Sequence, residues 1–217
     1  MPITIEQLRE DPSIFLLLER IQKEMREEAN KRQHFYETIQ ETDKVEFING
    51  EIIFQSPAKN KHFTAVLNLA KLLDTYVVIH NLGKIASEKC LISLTRNDYE
   101  PDICFFSNEK AQHFTPDQMQ FPAPDLVVEV LSPSTKNYDY GIKMRDYAAH
   151  QIPEYWIIYP DQEHIEQYLL TANDTYELHI KAETGIVKST TIKGFELPIR
   201  AIFDQQENLN FLKTLII

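Results

Sequence analysis

The chain has 217 residues, enough for one domain with an appendage and a sizeable core. It carries 33 acidic against 22 basic residues, a formal net charge of -11 that argues against strong non-specific duplex binding by a monomer, because phosphate binding rewards clustered Lys and Arg. There is no unbroken apolar run of membrane-spanning length, so no membrane span is expected, and Met1-Pro2-Ile3-Thr4 lacks the basic and apolar regions of a secretory signal.

Taken in chain order, Ser13 to Gln40 contains no Gly or Pro and opens on Pro12-Ser13, a helix start. Phe15, Leu18, Ile21 and Met25 recur at spacings of three and four, which predicts a long amphipathic helix. Residues 1–42 therefore read as a helical extension that packs on its own domain or pairs two copies. Two alternating runs then flank Asn49-Gly50, the signature of a tight hairpin over Lys44 to Phe54. Phe63, Val66, Leu67, Ala70 and Leu73 predict a helix from Asn60 to about Tyr76.

Ile85 to Leu94 reads as one or two strands around Cys90, and Tyr99 to Phe106 as another. Cys90 and Cys104 lie in apolar surroundings without metal-ligand spacing, which fits reduced, buried thiols and a cytoplasmic protein. Ser107 to Pro124 is a polar loop with room for a short helix. Asp125 to Leu131 has the continuous apolar pattern of a strand covered on both faces, and Tyr138 to His150 a helical pattern that Pro153 stops. Glu154 to Tyr159 is the next buried strand, and the crossover length makes it parallel to Asp125–Leu131. Short alternating segments at Ile165–Leu169, Tyr176–Ile180 and Gly185–Ile192 predict a β meander, while 201–217 carries no clear pattern. The order predicts an α/β fold: a mixed β-sheet core flanked by helices, with a long N-terminal helix, a domain over 43–200 and a tail.

Two acids stand out. Glu129 interrupts the apolar run of its strand, and a carboxylate there is costly unless a metal ion, a lysine or backbone donors compensate it. Asp102 directly precedes the apolar run Ile103-Cys104-Phe105-Phe106. Phosphodiester hydrolysis needs a metal that polarises the phosphoryl group and activates water, and Mg²⁺ is served by two or three carboxylates plus water. The sequence supplies Asp102 and Glu129, Glu51 as a third acid, and Lys143 as a cation that would steady developing negative charge.

The set Phe47-Ile48-Asn49-Gly50-Glu51, Pro57 with His62, Pro101-Asp102-Ile103, Pro124-Asp125-Leu126-Val127-Val128-Glu129-Val130-Leu131-Ser132-Pro133-Ser134-Thr135, Asp139, Lys143, Tyr147 and Glu154-Tyr155-Trp156-Ile157 resembles the Uma-two endonuclease family, a bacterial branch of the PD-(D/E)XK restriction-endonuclease-like superfamily. The resemblance covers roughly residues 44 to 170. It implies a restriction-endonuclease-like core, Asp102 and Glu129 as catalytic acids, a metal site of Asp102, Glu129 and Glu51, Mg²⁺ or Mn²⁺ as cofactor, DNA as substrate and a homodimer. The superfamily's lysine falls two residues after the second acid, where this chain has Leu131, and Lys143 is the position that takes its place.

Each residue also has a plainer reading. Glu129 could be satisfied by Lys143 as a structural pair, Asp102 could cap a strand end, and Glu51 could be a solvated hairpin residue. Lys143 follows Asp139 by four residues, an ordinary helix-surface pairing. His62 fits a helix N-terminus, and Ser132, Ser134 and Thr135 fit loop and capping positions because no Ser-His-Asp order accompanies them. The displaced lysine and the acidic balance keep open an inactive nuclease-fold binding or assembly module, and the same acids could hydrolyse a small phosphate ester.

Overall fold

The fold is described from a computed structural model that covers residues 9, 12–40 and 42–216. Helix α1 (Pro12–Thr38) begins on a proline, whose missing N–H costs nothing in the first turn. The hairpin β1 (Val45–Ile48) and β2 (Glu51–Phe54) turns on Asn49 and Gly50, with φ of 52° and 83°. Two positive φ values in a two-residue turn match the right-handed twist of the flanking strands. Helix α2 (Asn60–Ile79) follows. It is long and apolar enough, by length and composition, to cross a membrane. Instead its Leu69, Leu72, Leu73 and Val77 are buried in the protein core.

The next elements are β3 (Gly83–Ser87), β4 (Leu91–Ser93), β5 (Asp98–Tyr99), β6 (Ile103–Ser107), a short α3 (Asn108–Ala111), β7 (Gln120–Phe121) and β8 (Leu126–Val130). The crossover contains α4 (Lys136–Tyr138), a π-helical stretch over Asp139–Lys143, and α5 (Met144–Ala149). Strands β9 (Glu154–Tyr159), β10 (His164–Leu170), β11 (Tyr176–Ala182), β12 (Ile186–Lys188) and β13 (Glu196–Pro198) follow. The chain closes with α6 (Arg200–Phe203) and α7 (Gln205–Ile216).

The larger sheet has the order β11-β10-β9-β8-β6-β3, with β8 and β9 parallel and the other pairs antiparallel. A second sheet, β2-β1-β5-β4-β7, faces it. One face of the large sheet packs Phe105, Val128, Trp156 and Ile158 against α2 and the final helices. Its other face packs Cys104, Val127, Tyr155 and Ile157 against Ile48, Ile92 and Tyr99 of the second sheet and Tyr147 of α5. Cys90 and Cys104 are free and buried there.

Three features differ from the sequence reading. The mixed core is split into two facing sheets, because β1, β4 and β5 find their own partners. The meander ends at β11, and Gly185–Ile192 shortens to β12, which pairs with β13 apart from the main sheet. The segment after 200 is helical and docked: Asn68 of α2 donates to the Ile202 carbonyl at 3.1 Å, and Asn208 of α7 donates to the Asn68 carbonyl at 3.0 Å. As for the N-terminal block, Phe35 of α1 is buried with Val45, Phe47 and Leu91. Arg32 grips Asp98 at 2.6 and 2.7 Å. The earlier part of α1 leaves Phe15, Leu18, Ile21 and Met25 exposed.

Candidate active site

The two strand acids meet. Strands β6 and β8 pair Ile103 with Val128, and continuing that register sets Asp102 opposite Glu129. Alternation along β8 turns Val128 and Val130 toward α2 and leaves Glu129 on the face toward the second sheet. Asp102 Oδ2 accepts a hydrogen bond from the Val130 N–H at 2.8 Å. Both side chains are almost wholly buried.

Lys143 is also buried, only 1% exposed, so the helix-surface reading does not hold. Its Nζ lies 3.0 Å from Glu129 Oε1, 2.8 Å from Glu46 Oε1 and 3.4 Å from Asp139 Oδ1. The π-helical stretch places Asp139 at its start and Lys143 at its end, both buried. Such widened turns recur at functional sites. Tyr147 donates a second hydrogen bond to Glu129 Oε1 at 2.9 Å. Both contacts to Glu129 thus fall on one oxygen.

Glu51 is not brought to this cluster. It stands opposite Ile48 at the turn end of the hairpin and is exposed. Glu46, paired with Ile53 two residues further along, turns inward to Lys143 instead. Sequence reasoning passed over Glu46, although it interrupts an apolar run just as Glu129 does. Two more residues surround Asp102. His62 Nε2 lies 3.3 Å from Asp102 Oδ2, and Lys44 Nζ 3.5 Å from Oδ1. Lys44 also pairs with Glu88 at 2.7 Å.

These surroundings pull the two acids apart electrostatically. Burial alone would raise the Asp102 carboxyl, but the His62 hydrogen bond, the charges of His62 and Lys44 and the Val130 N–H outweigh it and hold it below its ordinary value. Burial drives Glu129 well above the usual carboxylate range; Lys143 opposes this, while Asp139, Asp102 and Glu46 reinforce it. Burial also disfavours the charged form of Lys143, yet Glu129, Glu46 and Asp139 raise it well above an ordinary lysine. The surroundings thus favour the charged form of Asp102 and oppose that of Glu129. Separated carboxyls of this kind are the usual arrangement of an acid–base pair.

Glu100 adds a pH-sensitive neighbour. Its N–H donates to Glu46 Oε1 at 3.0 Å, and its Oε2 accepts from Val45 N–H at 3.0 Å. Burial, with help from Glu46 and against the Val45 hydrogen bond, pushes its carboxyl up to about 7. A carboxyl raised by folding stabilises the protein below its ordinary value of 4.5, and that contribution is lost as pH climbs through about 7. Glu100→Gln keeps an acceptor for Val45 and removes the charge. It is expected to gain about 1–2 kcal/mol at pH 8, after allowance for partial solvent access, and to flatten the pH dependence between 4.5 and 7. Urea unfolding across that window is the check; an unchanged slope defeats the expectation.

Two facing carboxylates and the uncommitted Glu129 Oε2 fit a hard ion that keeps most of its water. Among the described residues, however, no group of three or more His, Cys, Asp or Glu side chains is arranged to hold a metal. The arrangement suits a two-carboxylate site and not a three-acid cage.

A cleft of about 260 Å³ opens beside the pair, lined by Lys44, Lys61, His62, Ser132, Thr135 and Asp161 among others. It lies beyond the carboxyl ends of the parallel strands β8 and β9, where open α/β sheets usually take their ligands. Ser132 and Thr135 hydrogen-bond each other at 3.1 Å in the loop, and Thr135 precedes α4 without a side-chain capping bond.

Comparison with known proteins accords with this architecture. The Uma2 family model, described as "Putative restriction endonuclease", matches residues 32–200. An "Uncharacterized protein sll1609" of Synechocystis sp. is 32% identical over 122 residues, covering 55% of this chain and 68% of that protein. The fold is similar to the crystal structure of "a putative nuclease belonging to DUF820" from Anabaena variabilis, with a TM-score of 0.67 and 18% identity over 78% of this chain and 94% of that one. The matched span holds both sheets together with Glu46, Asp102, Glu129 and Lys143, and the chain belongs to the Uma2 family of restriction-endonuclease-like proteins.

Proposed function

We propose that the protein is a metal-dependent endonuclease that hydrolyses DNA phosphodiester bonds at the Asp102–Glu129 pair. The observation that carries this reading is the convergence of the two acids from neighbouring strands, beside a lysine-bearing cleft whose Lys44 and His62 touch Asp102. A bound Mg²⁺ or Mn²⁺ would polarise the phosphoryl group and make water acidic enough to attack near neutral pH. Asp102 is the oxygen donor that stays ionised, because Val130 N–H and His62 hold its charge. Glu129 offers Oε2, while Lys143 and Tyr147 fix the position of Oε1. Lys143 acts by balancing three carboxylates and setting the Glu129 rotamer.

The test is cleavage of single- and double-stranded DNA in Mg²⁺ and in Mn²⁺. Activity is expected with metal and lost with a chelator. Asp102→Asn and Glu129→Gln should each bring it to background, with folding verified by circular dichroism. Absence of cleavage in either metal, or activity that survives both substitutions, sinks the reading.

One observation favours a non-catalytic binding module: Lys143 is enclosed by carboxylates and has almost no free surface from which to meet a substrate. Metal-independent DNA binding without cleavage is the result that reading requires. A homodimer through α1 is also proposed, since Phe15, Leu18, Ile21 and Met25 expose an apolar stripe that a second copy of the helix can cover. Light scattering should report twice the chain mass at micromolar concentration, and a monomer there removes the idea.

A further inference from the structure

Lys44 lies where the cleft meets the acid pair. It stands one residue before β1, opposite Gln55, whose N–H bonds the Lys44 carbonyl at 3.0 Å. Strand alternation therefore turns Lys44 to the same face as Glu46, the face that meets Lys143. Unlike Lys143, its side chain keeps 23% of its surface exposed. Its Nζ sits between two carboxylates. Glu88 Oε2 accepts a hydrogen bond from it at 2.7 Å, while Asp102 Oδ1 lies at 3.5 Å.

The frame around that ammonium is fixed, and the ammonium itself is not. Asp102 Oδ2 is committed to the Val130 N–H at 2.8 Å and to His62 Nε2 at 3.3 Å, so Oδ1 is the oxygen left to face Lys44. Glu88 opens a turn of two positive φ values, 55° there and 46° at Lys89, and its N–H bonds the Asp102 carbonyl at 3.1 Å. The backbones of the two acids are thus tied to each other, and Lys44 reaches both on a flexible four-carbon stem. The Glu88 side chain is the outer partner, 45% exposed against 8% for Asp102. A small outward movement of Nζ leaves Asp102 and keeps the bond to Glu88.

We propose that Lys44 is a positioning residue that controls access to Asp102: it occupies the Oδ1 side of that carboxylate until a divalent ion binds, and then withdraws onto Glu88. The inference rests on the metal site of the nuclease reading and deepens it. Two cations cannot share one buried carboxylate oxygen without repulsion, so ammonium and metal contend for Oδ1. Before a metal arrives, the ammonium supplies the counter-charge that a buried Asp102 needs. Glu88 sets how readily Lys44 gives way, because it offers the displaced ammonium a carboxylate already at hydrogen-bond distance. Lys143 cannot play this part: three carboxylates enclose it, and its side chain is 1% exposed.

The test measures binding of Mg²⁺ and of Mn²⁺ to the full chain by isothermal titration calorimetry, without DNA, so that no cleavage enters. Lys44→Met should bind either ion several-fold more tightly than the native chain, and Glu88→Gln several-fold more weakly. Lys44→Gln repeats the first comparison with a polar side chain, and circular dichroism verifies folding. Lys213→Met, on helix α7, removes a remote charge and should leave the affinity unchanged. The double variant decides the matter, since a double-mutant cycle separates coupled residues from two independent charges. Once Lys44 is replaced by methionine, Glu88→Gln should have no further effect. An equal weakening in both backgrounds overturns the proposal, as does native affinity in both Lys44 variants or a native chain that binds neither ion. In crystals soaked with Mn²⁺, Lys44 Nζ should stay on Glu88 and lie clear of Asp102; an ammonium still touching Asp102 beside the bound ion also overturns it. The cleavage assay stands apart: cleavage with additive charge effects removes only the role of Lys44, and coupled metal affinities without cleavage remove only the nuclease.

Discussion

Lys143→Met is expected to cost about 3–5 kcal/mol of folding stability at pH 8, the range for breaking a buried ion pair by removing one partner. Methionine fills nearly the same volume, so packing changes little and the loss reports charge. The substitution leaves Glu46, Glu129 and Asp139 without the cation that lies within 3.4 Å of each. Neither oxygen of Asp139 has a well-formed hydrogen bond, and beside the Thr135 side chain Lys143 is the cation that offsets its burial. Glu129 and Asp139 both titrate above their ordinary range, chiefly through burial, and without the lysine they would rise further. Their penalty is largest when they are ionised, so the deficit is greatest at alkaline pH and shrinks as the acids take up protons on acidification. Urea unfolding at pH 8 and pH 5 measures both limbs. A variant as stable as the native chain at pH 8 would show that the three carboxylates do not need Lys143.

Glu154→Ala is expected to lose at least about 4 kcal/mol, independently of the candidate active site. Glu154 is wholly buried at the start of β9. Its Oε2 accepts from the hydroxyls of Ser189, Thr190 and Thr191 at 2.8, 3.1 and 2.8 Å, and from the N–H groups of Thr190 and Thr191 at 3.0 Å each. Its Oε1 accepts from Trp156 Nε1 at 2.6 Å and Gln167 Nε2 at 2.7 Å. Truncation strands several of these donors inside the protein, and a charge-assisted hydrogen bond is worth about 1.5–3 kcal/mol. Glu154→Gln should fall between, since it keeps acceptor capacity on one atom and sets an amide N–H₂ against donors on the other. Thermal unfolding of the three proteins should rank native, glutamine, alanine; an alanine variant within about 1 kcal/mol of native would mean the loop is held otherwise.

The sequence exposed the central parts of the fold because their patterns are local. Asn49-Gly50 can be read as a tight turn since few other pairs tolerate two positive φ values. The parallel pairing of β8 and β9 follows from an apolar strand, a helical crossover and a second apolar strand. Asp102 and Glu129 were visible because charge inside apolar runs demands compensation. Glu46 was less visible. Glu51 sits beside the same turn and carried the family resemblance, but a two-residue turn fixes it opposite Ile48, outside the buried cluster. The inward face of β1 is set by the second sheet, a long-range pairing that strand periodicity does not encode.

The burial of Lys143 was hidden for a similar reason. Asp139 and Lys143 four residues apart look like a surface pair on any regular helix, and the π-helical stretch that buries both has no sequence signature. The last helices escaped notice because 201–217 carries no clear pattern in sequence. Their role depends on Asn208, whose amide reaches helix α2 across a separation of 140 residues.

That amide has a consequence for the other end of α2. The helix that begins at the cleft is braced from behind by Asn208 and by the reciprocal donation from Asn68 to Ile202. Trimming the chain after Phe203 would leave every strand acid in place while uncovering the rear of that rod. A tilt of the rod would carry His62 away from Asp102. Shortened versions of this protein would thus bare the core that Phe211, Leu212 and Leu215 now cover, and a folding assay would register the loss.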